Sequence, residues 1–220
     1  MHKIVTNLIK IQGTLNKLNS DLQVDTKTKV IAVSKTYPIE DIQPLIEYGH
    51  KDFGENKIQE AINKWPDIKK KNPKLKLHML GKIQTNKVKF LLPLFDYIHS
   101  LDNLKLAQKI SKEEINKKMK LKIFIQVNIG DENQKSGIDI ENLSEFYFKC
   151  INDLNLNIIG LMCLPPQDKN ATDSFLLLKK LAQNLNISEL SMGMSGDYPE
   201  AIKCGSTFIR VGSNIFGKRV

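Results

Sequence analysis

The chain has almost no arginine. Of its 33 basic residues only Arg210 and Arg219 are arginine. Where lysine is the default cation, an arginine answers a need for a rigid, permanently charged fork. Cysteine is scarce too. Cys150, Cys163 and Cys204 are odd in number and widely spaced, which excludes a disulfide framework. No Cys-x-x-Cys or His-x-x-x-His spacing occurs, so no metal is expected. The three thiols read as reduced packing residues. Long apolar runs are missing, and none nears the roughly 20 residues that cross a bilayer. Met1 to Asp21 lacks the apolar block and small-residue cleavage site of a signal peptide. A cytoplasmic protein without a membrane partner is expected.

What is present fits a soluble globular protein. The 220 residues suffice for one domain with a substantial core, expected to run over 1–220. The net charge of +9 raises the question of nucleic-acid binding. The lysines are spread along the chain, as in Lys69-Lys70-Lys71 and Lys117-Lys118, without interleaved aromatics or a nucleic-acid-binding motif. They read as compositional bias, and no nucleic-acid partner is expected.

An amphipathic helix, roughly Ile4 to Asn19, opens the chain. Strand-like and helix-like runs then alternate. The strands expected are Val30–Ser34, Asp52–Gly54, Leu75–Gly81, Tyr97–Ser100, Leu121–Asn128, Ile158–Cys163, Glu189–Gly193 and Phe208–Gly212. Most are uninterrupted apolar runs, as in strands covered on both faces. Helices are expected over Pro38–Tyr48, stopped by Gly49, over Asn103–Lys118, capped by Asp102, and over Ser174–Asn184, capped by Asp173. Regular alternation implies a parallel sheet. Eight repeats point to the α/β class: a single (β/α)8 TIM barrel with an extra N-terminal helix. Its last helix would be a stub within Asn214–Val220.

Active sites of such barrels lie at the C-terminal rim of the strands, and phosphates bind after strands seven and eight. Lys35 ends the first strand. Partial burial favours the neutral form of a lysine amine, and a neutral amine forms a Schiff base with an aldehyde. The turns Met194-Ser195-Gly196 and Gly212-Ser213-Asn214 carry hydroxyls and backbone N–H groups at short helix starts, so together they can cradle a phosphate. Arg210 lies two residues before the second turn. It keeps its own proton, so a pyridine nitrogen facing it stays largely unprotonated. His78 is either a ring contact or a hydrogen-bonded core histidine. His2, His50 and His99 read as structural or solvated. Asn56 is either an N-cap or an amide contact to a ligand. Lys82 and Lys87 read as a solvated helix start. Lys135 falls in the loop after the fifth strand, at the same rim.

Several stretches together carry a family resemblance: Ala32-Val33-Ser34-Lys35-Thr36, Phe53-Gly54-Glu55-Asn56, His78-Met79-Leu80-Gly81, Lys135-Ser136-Gly137, Ser191-Met192-Gly193-Met194-Ser195 and Arg210-Val211-Gly212-Ser213. In this order, spanning nearly the whole chain, they resemble the YggS/PROSC family of pyridoxal phosphate homeostasis proteins, whose barrel is like the N-terminal domain of alanine racemase. The resemblance implies that Lys35 holds pyridoxal 5'-phosphate as a Schiff base. It implies that Met194, Ser195, Gly212 and Ser213 surround the phosphate and that Arg210 faces the pyridine nitrogen. Asn56 and His78 complete the expected cofactor-binding set. Ser213 stands where threonine is frequent in the family and keeps the hydroxyl.

Racemisation needs a second acid/base on the opposite face of the cofactor, which alanine racemase draws from another domain across a dimer. No length remains for that domain here, so no catalytic residue is assigned and a monomer is expected. The expected role is vitamin B6 homeostasis without robust catalysis, with PLP-dependent apo-enzymes as possible recipients. The alternative is a small PLP-dependent amino-acid racemase of the alanine racemase fold type. A charge-driven nucleic-acid binder ranks third.

Overall fold

The computed structural model describes residues 1–22, 28–130, 136–166 and 170–217. Lys135 and Arg219 therefore lie outside the described residues. The first helix, α1 (Lys3–Asp21), packs Ile4, Val5, Leu8, Ile11 and Leu15 against the body of the fold. Those positions recur at helical spacing and form one apolar stripe. Eight strands follow and close on themselves. They are β1 (Lys29–Val33), β2 (Asp52–Glu55), β3 (Lys76–Met79), β4 (Tyr97–Leu101), β5 (Lys122–Asn128), β7 (Ile158–Met162), β8 (Glu189–Met194) and β9 (Phe208–Val211). Every neighbouring pair is parallel, and the β4–β5 and β1–β9 pairings complete the ring. The expected TIM barrel with its extra N-terminal helix is what the chain forms. A two-residue strand, β6 (Ile138–Asp139), returns from the loop after β5 and pairs beside Val127 and Asn128. Nothing in the sequence pattern announced it.

The helices α2 (Ile39–Glu47), α3 (Ile58–Lys64), α4 (Pro66–Lys71), α5 (Leu104–Lys117), α6 (Leu143–Phe148), α7 (Ala171–Asn184), α8 (Tyr198–Lys203) and α9 (Ser213–Phe216) surround the strands. Two expected caps are corrected. Asn103, not Asp102, caps α5: its backbone is extended and its side chain accepts from Leu106 N at 2.9 Å. Asp102 instead takes a hydrogen bond from the Asn103 amide. Likewise Asn170 caps α7 by accepting from Thr172 N, and Asp173 falls in the first turn.

The core has two compartments. The larger lies between strands and helices, and Trp65, Phe53 and Phe175 are fully buried in it. The smaller fills the barrel itself with Ile31, Tyr97, Phe124, Met162 and Phe208. Cys150, Cys163 and Cys204 are buried free thiols, as the sequence suggested. Burial pushes the Cys150 and Cys163 thiols up to about 12, so both stay protonated at neutral pH.

Two glycines give matched tests of the packing. Gly160 on β7 lies beside Glu189 of β8, and a Cβ there would sit 2.0 Å from the Glu189 carbonyl oxygen. Gly160→Ala should cost about 1–3 kcal/mol, because two paired strands must separate. Gly13 lies within α1, and nothing lies within 4 Å of a Cβ built on it. Gly13→Ala should add about 0.5–1 kcal/mol by removing backbone freedom from the unfolded chain. Urea unfolding of both variants measures the two opposite signs.

Candidate functional site

All eight barrel strands point the same way, so their C-terminal ends form one rim. β1 delivers Lys35 to that rim two residues beyond its end. The backbone there is unusual. Thr36 has φ +68°, in the left-handed region that a β-branched residue rarely enters. Such a conformation costs about 1–3 kcal/mol unless neighbours enforce it. Two side chains of α3 do so. Thr36 N–H donates to Glu60 Oε1 at 2.6 Å. Lys64 Nζ donates to the carbonyls of Ser34 and Tyr37, at 2.9 and 3.1 Å. Lys64 also meets Glu60 at 3.0 Å and the fully buried Glu55 at 2.7 Å. Ser34 Oγ and Trp65 Nε1 donate to the same Glu55 oxygen, at 2.8 and 2.9 Å. Burial nonetheless holds the Glu55 carboxyl above its ordinary range, against the pull of Lys64, Trp65 and Ser34. This buried clamp stands behind the turn that presents Lys35.

Across the rim, β8 ends in the Met194-Ser195-Gly196 turn. Gly193 before it has φ +89°, and a Cβ there would meet Ala201 at 2.5 Å, so the turn requires glycine. Asp197 Oδ1 accepts from Met194 N–H at 2.6 Å and ties the turn closed. The neighbouring turn after β9 meets it at Ser195. The N–H groups of Gly212 and Asn214 both point at Ser195 Oγ, at 3.3 and 3.5 Å, and the Asn214 amide donates to the Ser195 carbonyl at 2.8 Å. The helices that follow, α8 and α9, have six and four residues. The turn's own N–H and hydroxyl groups, rather than helix dipoles, make this cup.

Arg210 lies between the cup and Lys35. It is 5% exposed and donates through Nη1 to Ser191 Oγ at 2.7 Å and through Nη2 to the Cys163 carbonyl at 2.9 Å. Among the described residues it makes no ion pair, so a structural salt bridge does not account for it.

These groups converge on one cavity of about 600 Å³, lined by Lys35, Asn56, Met194, Ser195, Arg210, Gly212 and Ser213. Asn56 is not a cap: Lys57 occupies that position in α3. His78 is not brought to the cavity. It is fully buried inside the barrel, stacked on Tyr97, with its ring nitrogens on His99 and Asp52. Lys82 and Lys87 do not line the cavity either.

A family profile described as "Alanine racemase, N-terminal domain" matches residues 7–220. The pyridoxal phosphate homeostasis protein of Pasteurella multocida (strain Pm70) is 36% identical over 227 residues, covering 98% of this chain and 97% of its own. Its namesake in Escherichia coli (strain K12) is 34% identical, covering 100% and 98%. The chain belongs to the pyridoxal phosphate homeostasis protein family. Among solved structures, PipY of Synechococcus elongatus PCC7942, determined with PLP bound, aligns with TM-score 0.85 at 31% identity, covering 98% of this chain and all of PipY. An alanine racemase of Clostridium difficile 630 aligns with TM-score 0.73 at 14% identity and shares the fold, while this chain covers 57% of it.

Sequence reasoning missed part of this family member's site. Tyr37 lines the cavity, stacks on Phe216 at 4.6 Å and donates to the Gly217 carbonyl at 3.0 Å. Its only sequence signal was its place two residues after Lys35; the turn at Thr36 that brings it to the cavity is not written in the pattern. Glu60 and Lys64 were missed as well. Their i,i+4 spacing reads as a solvated helical pair, and only the fold places them behind Lys35.

Removing one partner of a buried ion pair strands the other. Lys64→Met should therefore destabilise the protein by about 3–5 kcal/mol, and adding Glu55→Gln should recover part of that loss. Urea denaturation of the single and double variants measures both.

Proposed function

We propose that this protein binds pyridoxal 5'-phosphate at the cavity, holds it on Lys35, and serves intracellular vitamin B6 homeostasis without robust catalysis of its own. The observation that carries the reading is the meeting of three groups in one cavity: a lysine amine, a buried arginine with no carboxylate contact among the described residues, and a cup of hydroxyls and backbone N–H groups. When bound, the cofactor supplies an aldehyde that a lysine amine captures as a Schiff base. A volume of about 600 Å³ is ample for such a ligand.

The cup suits a phosphate on its own geometry. Gly212 N–H and Asn214 N–H share one hydroxyl at 3.3 and 3.5 Å. An ordinary N–H···O bond is about 2.9–3.0 Å, so both donors are weakly served. A phosphate has oxygens enough for each, and bonds to an anion are stronger. Ser195 and Ser213 would add hydroxyl donors. Arg210 would donate to the ring nitrogen and keep it unprotonated. That limits the ring as an electron sink and suits storage over turnover. Asn56 lines the same cavity and would orient the ligand from β2's side. His78 would act only from within the barrel, out of contact with the cofactor.

The same lining supports the reading of a holder without robust catalysis. Among the described residues, Lys35, Tyr37 and Arg210 are the titratable side chains of the cavity. The Tyr37 hydroxyl is engaged by the Gly217 carbonyl, and arginine does not give up its proton. A two-base racemisation then has a single amine to work with. The reading treats 1–220 as one cofactor-binding domain in the cytoplasm. One closed sheet supports the single domain.

Borohydride reduction after incubation with pyridoxal 5'-phosphate, followed by peptide mass spectrometry, is the direct test. The adduct should map to Lys35 and vanish in Lys35→Ala. An adduct that persists on another lysine would overturn the assignment. Chiral assays with the common amino acids should give turnover below about 1 per second, the low end of ordinary enzymes.

A further inference from the structure

The cavity's arginine is the end of a longer polar structure. A guanidinium carries only donors, so Arg210 Nη1–H must donate to Ser191 Oγ, at 2.7 Å. Ser191 Oγ lies 2.8 Å from His99 Nδ1. His99 Nε2 lies 3.0 Å from His78 Nδ1. His78 Nε2 lies 3.1 Å from Asp52 Oδ1. Asp52 opens β2 at the opposite end of the barrel and is partly exposed, whereas Ser191, His99 and His78 are fully buried.

With both rings neutral and Asp52 ionised, one arrangement of protons satisfies all four contacts. Ser191 accepts from Arg210, so its single hydrogen goes to His99 Nδ1. His99 then carries its proton on Nε2 and donates to His78 Nδ1. His78 in turn carries its proton on Nε2 and donates to the Asp52 carboxylate. The reverse order sets a ring lone pair against that carboxylate. It also leaves the Ser191 hydrogen without an acceptor in the chain. The surroundings agree with neutral rings. His99 stacks on Phe124 and His78 on Tyr97, each with ring centroids 4.3 Å apart. Burial lowers both imidazoles, His99 further because His78 and Arg210 add to it. Burial works against ionisation of Asp52, but the hydrogen bond from His78 and the charge of Lys29 hold its carboxyl below the ordinary value.

We propose that Ser191, His99, His78 and Asp52 are positioning residues: a one-way hydrogen-bonded chain through the barrel that orients Arg210 and links its buried charge to the Asp52 carboxylate. Bonds in such a chain polarise one another in a low-dielectric interior. The chain is not a proton conduit into the cavity, because arginine has no lone pair to receive a proton. Its effect is to fix which way the guanidinium faces and how strongly it donates. What Arg210 donates to rests on the cofactor reading above; the chain itself does not.

The test has two arms. Nitrogen-15 NMR of histidine-labelled full-length protein at pH 7, without cofactor, should show His78 and His99 as neutral Nε2–H tautomers. An Nδ1–H tautomer or an imidazolium at either ring would overturn the chain. In the second arm, pyridoxal 5'-phosphate is titrated into Asp52→Asn and Arg210→Lys. Asp52→Asn is nearly isosteric at a partly exposed site. It should weaken binding about threefold to tenfold, at the low end of couplings within one polar network. It should also shift the bound cofactor's absorbance in the direction that Arg210→Lys does. A silent Asp52→Asn beside a responsive Arg210→Lys would overturn the coupling. Silence in both variants would instead sink the ring contact of Arg210, and the tautomers would still decide the chain.

Discussion

The site depends on the pairing of the first barrel strand with the last. Ile31 lies beside Arg210 and Ala32 beside Val211 in a parallel ladder. Parallel neighbours leave a sheet at the same edge, so whatever follows β1 and β9 must meet. Lys35 follows the one and the Gly212–Asn214 turn follows the other. β8, the next strand round, brings Met194 opposite Arg210 and adds the Ser195 turn. Three adjacent strands thus set amine, guanidinium and hydroxyl cup side by side with no contribution from a long loop. The pairing of β1 with β9 is also the most non-local of the strand pairings. The cost of closing so large a loop must be met before any of these contacts exists. The cavity is therefore complete only when the barrel is.

The barrel was legible because its strands are short, nearly unbroken apolar runs separated by helix-sized intervals. Even β2, Asp52–Glu55, showed through its Phe53-Gly54 step. Helix caps were less legible for a local reason. Asp102 and Asn103 are adjacent acceptors with similar capping strength, and only the extended backbone at Asn103 decides between them. The rim residues Lys35, Ser195, Arg210, Gly212 and Ser213 were legible because they sit at or just beyond strand ends. His78 was not. It lies inside β3, and strand alternation sends its side chain either into the barrel or towards the helices. Alternation alone does not say which layer of the interior a residue fills. That depends on strand stagger, which the sequence does not display.

The fold buries two cations near the cavity and compensates them differently. Lys64 is held directly, by Glu55 at 2.7 Å and by Glu60 at 3.0 Å, with two further carbonyls in reach. Its amine is committed to acceptors and is unavailable as a nucleophile. Lys35 is the lysine that lines the cavity. Arg210 has no carboxylate in contact among the described residues. Asp197 acts on it only from a greater distance, and burial lowers its pKa.

The difference has a chemical reason. A guanidinium has five N–H donors in a fixed plane. A carboxylate in contact takes two of them in the strongest available geometry. Arg210 instead gives one to Ser191 on the neighbouring β8 and one to the Cys163 carbonyl just past the end of β7, both neutral acceptors. Arg210 still lines the cavity, and among the described residues no carboxylate in contact neutralises it. A direct ion pair would lower the cost of burying the charge and would also compete with the ligand for it. Placing the Asp52 carboxylate beyond three intervening groups, Ser191, His99 and His78, offsets part of the burial cost without occupying the guanidinium directly.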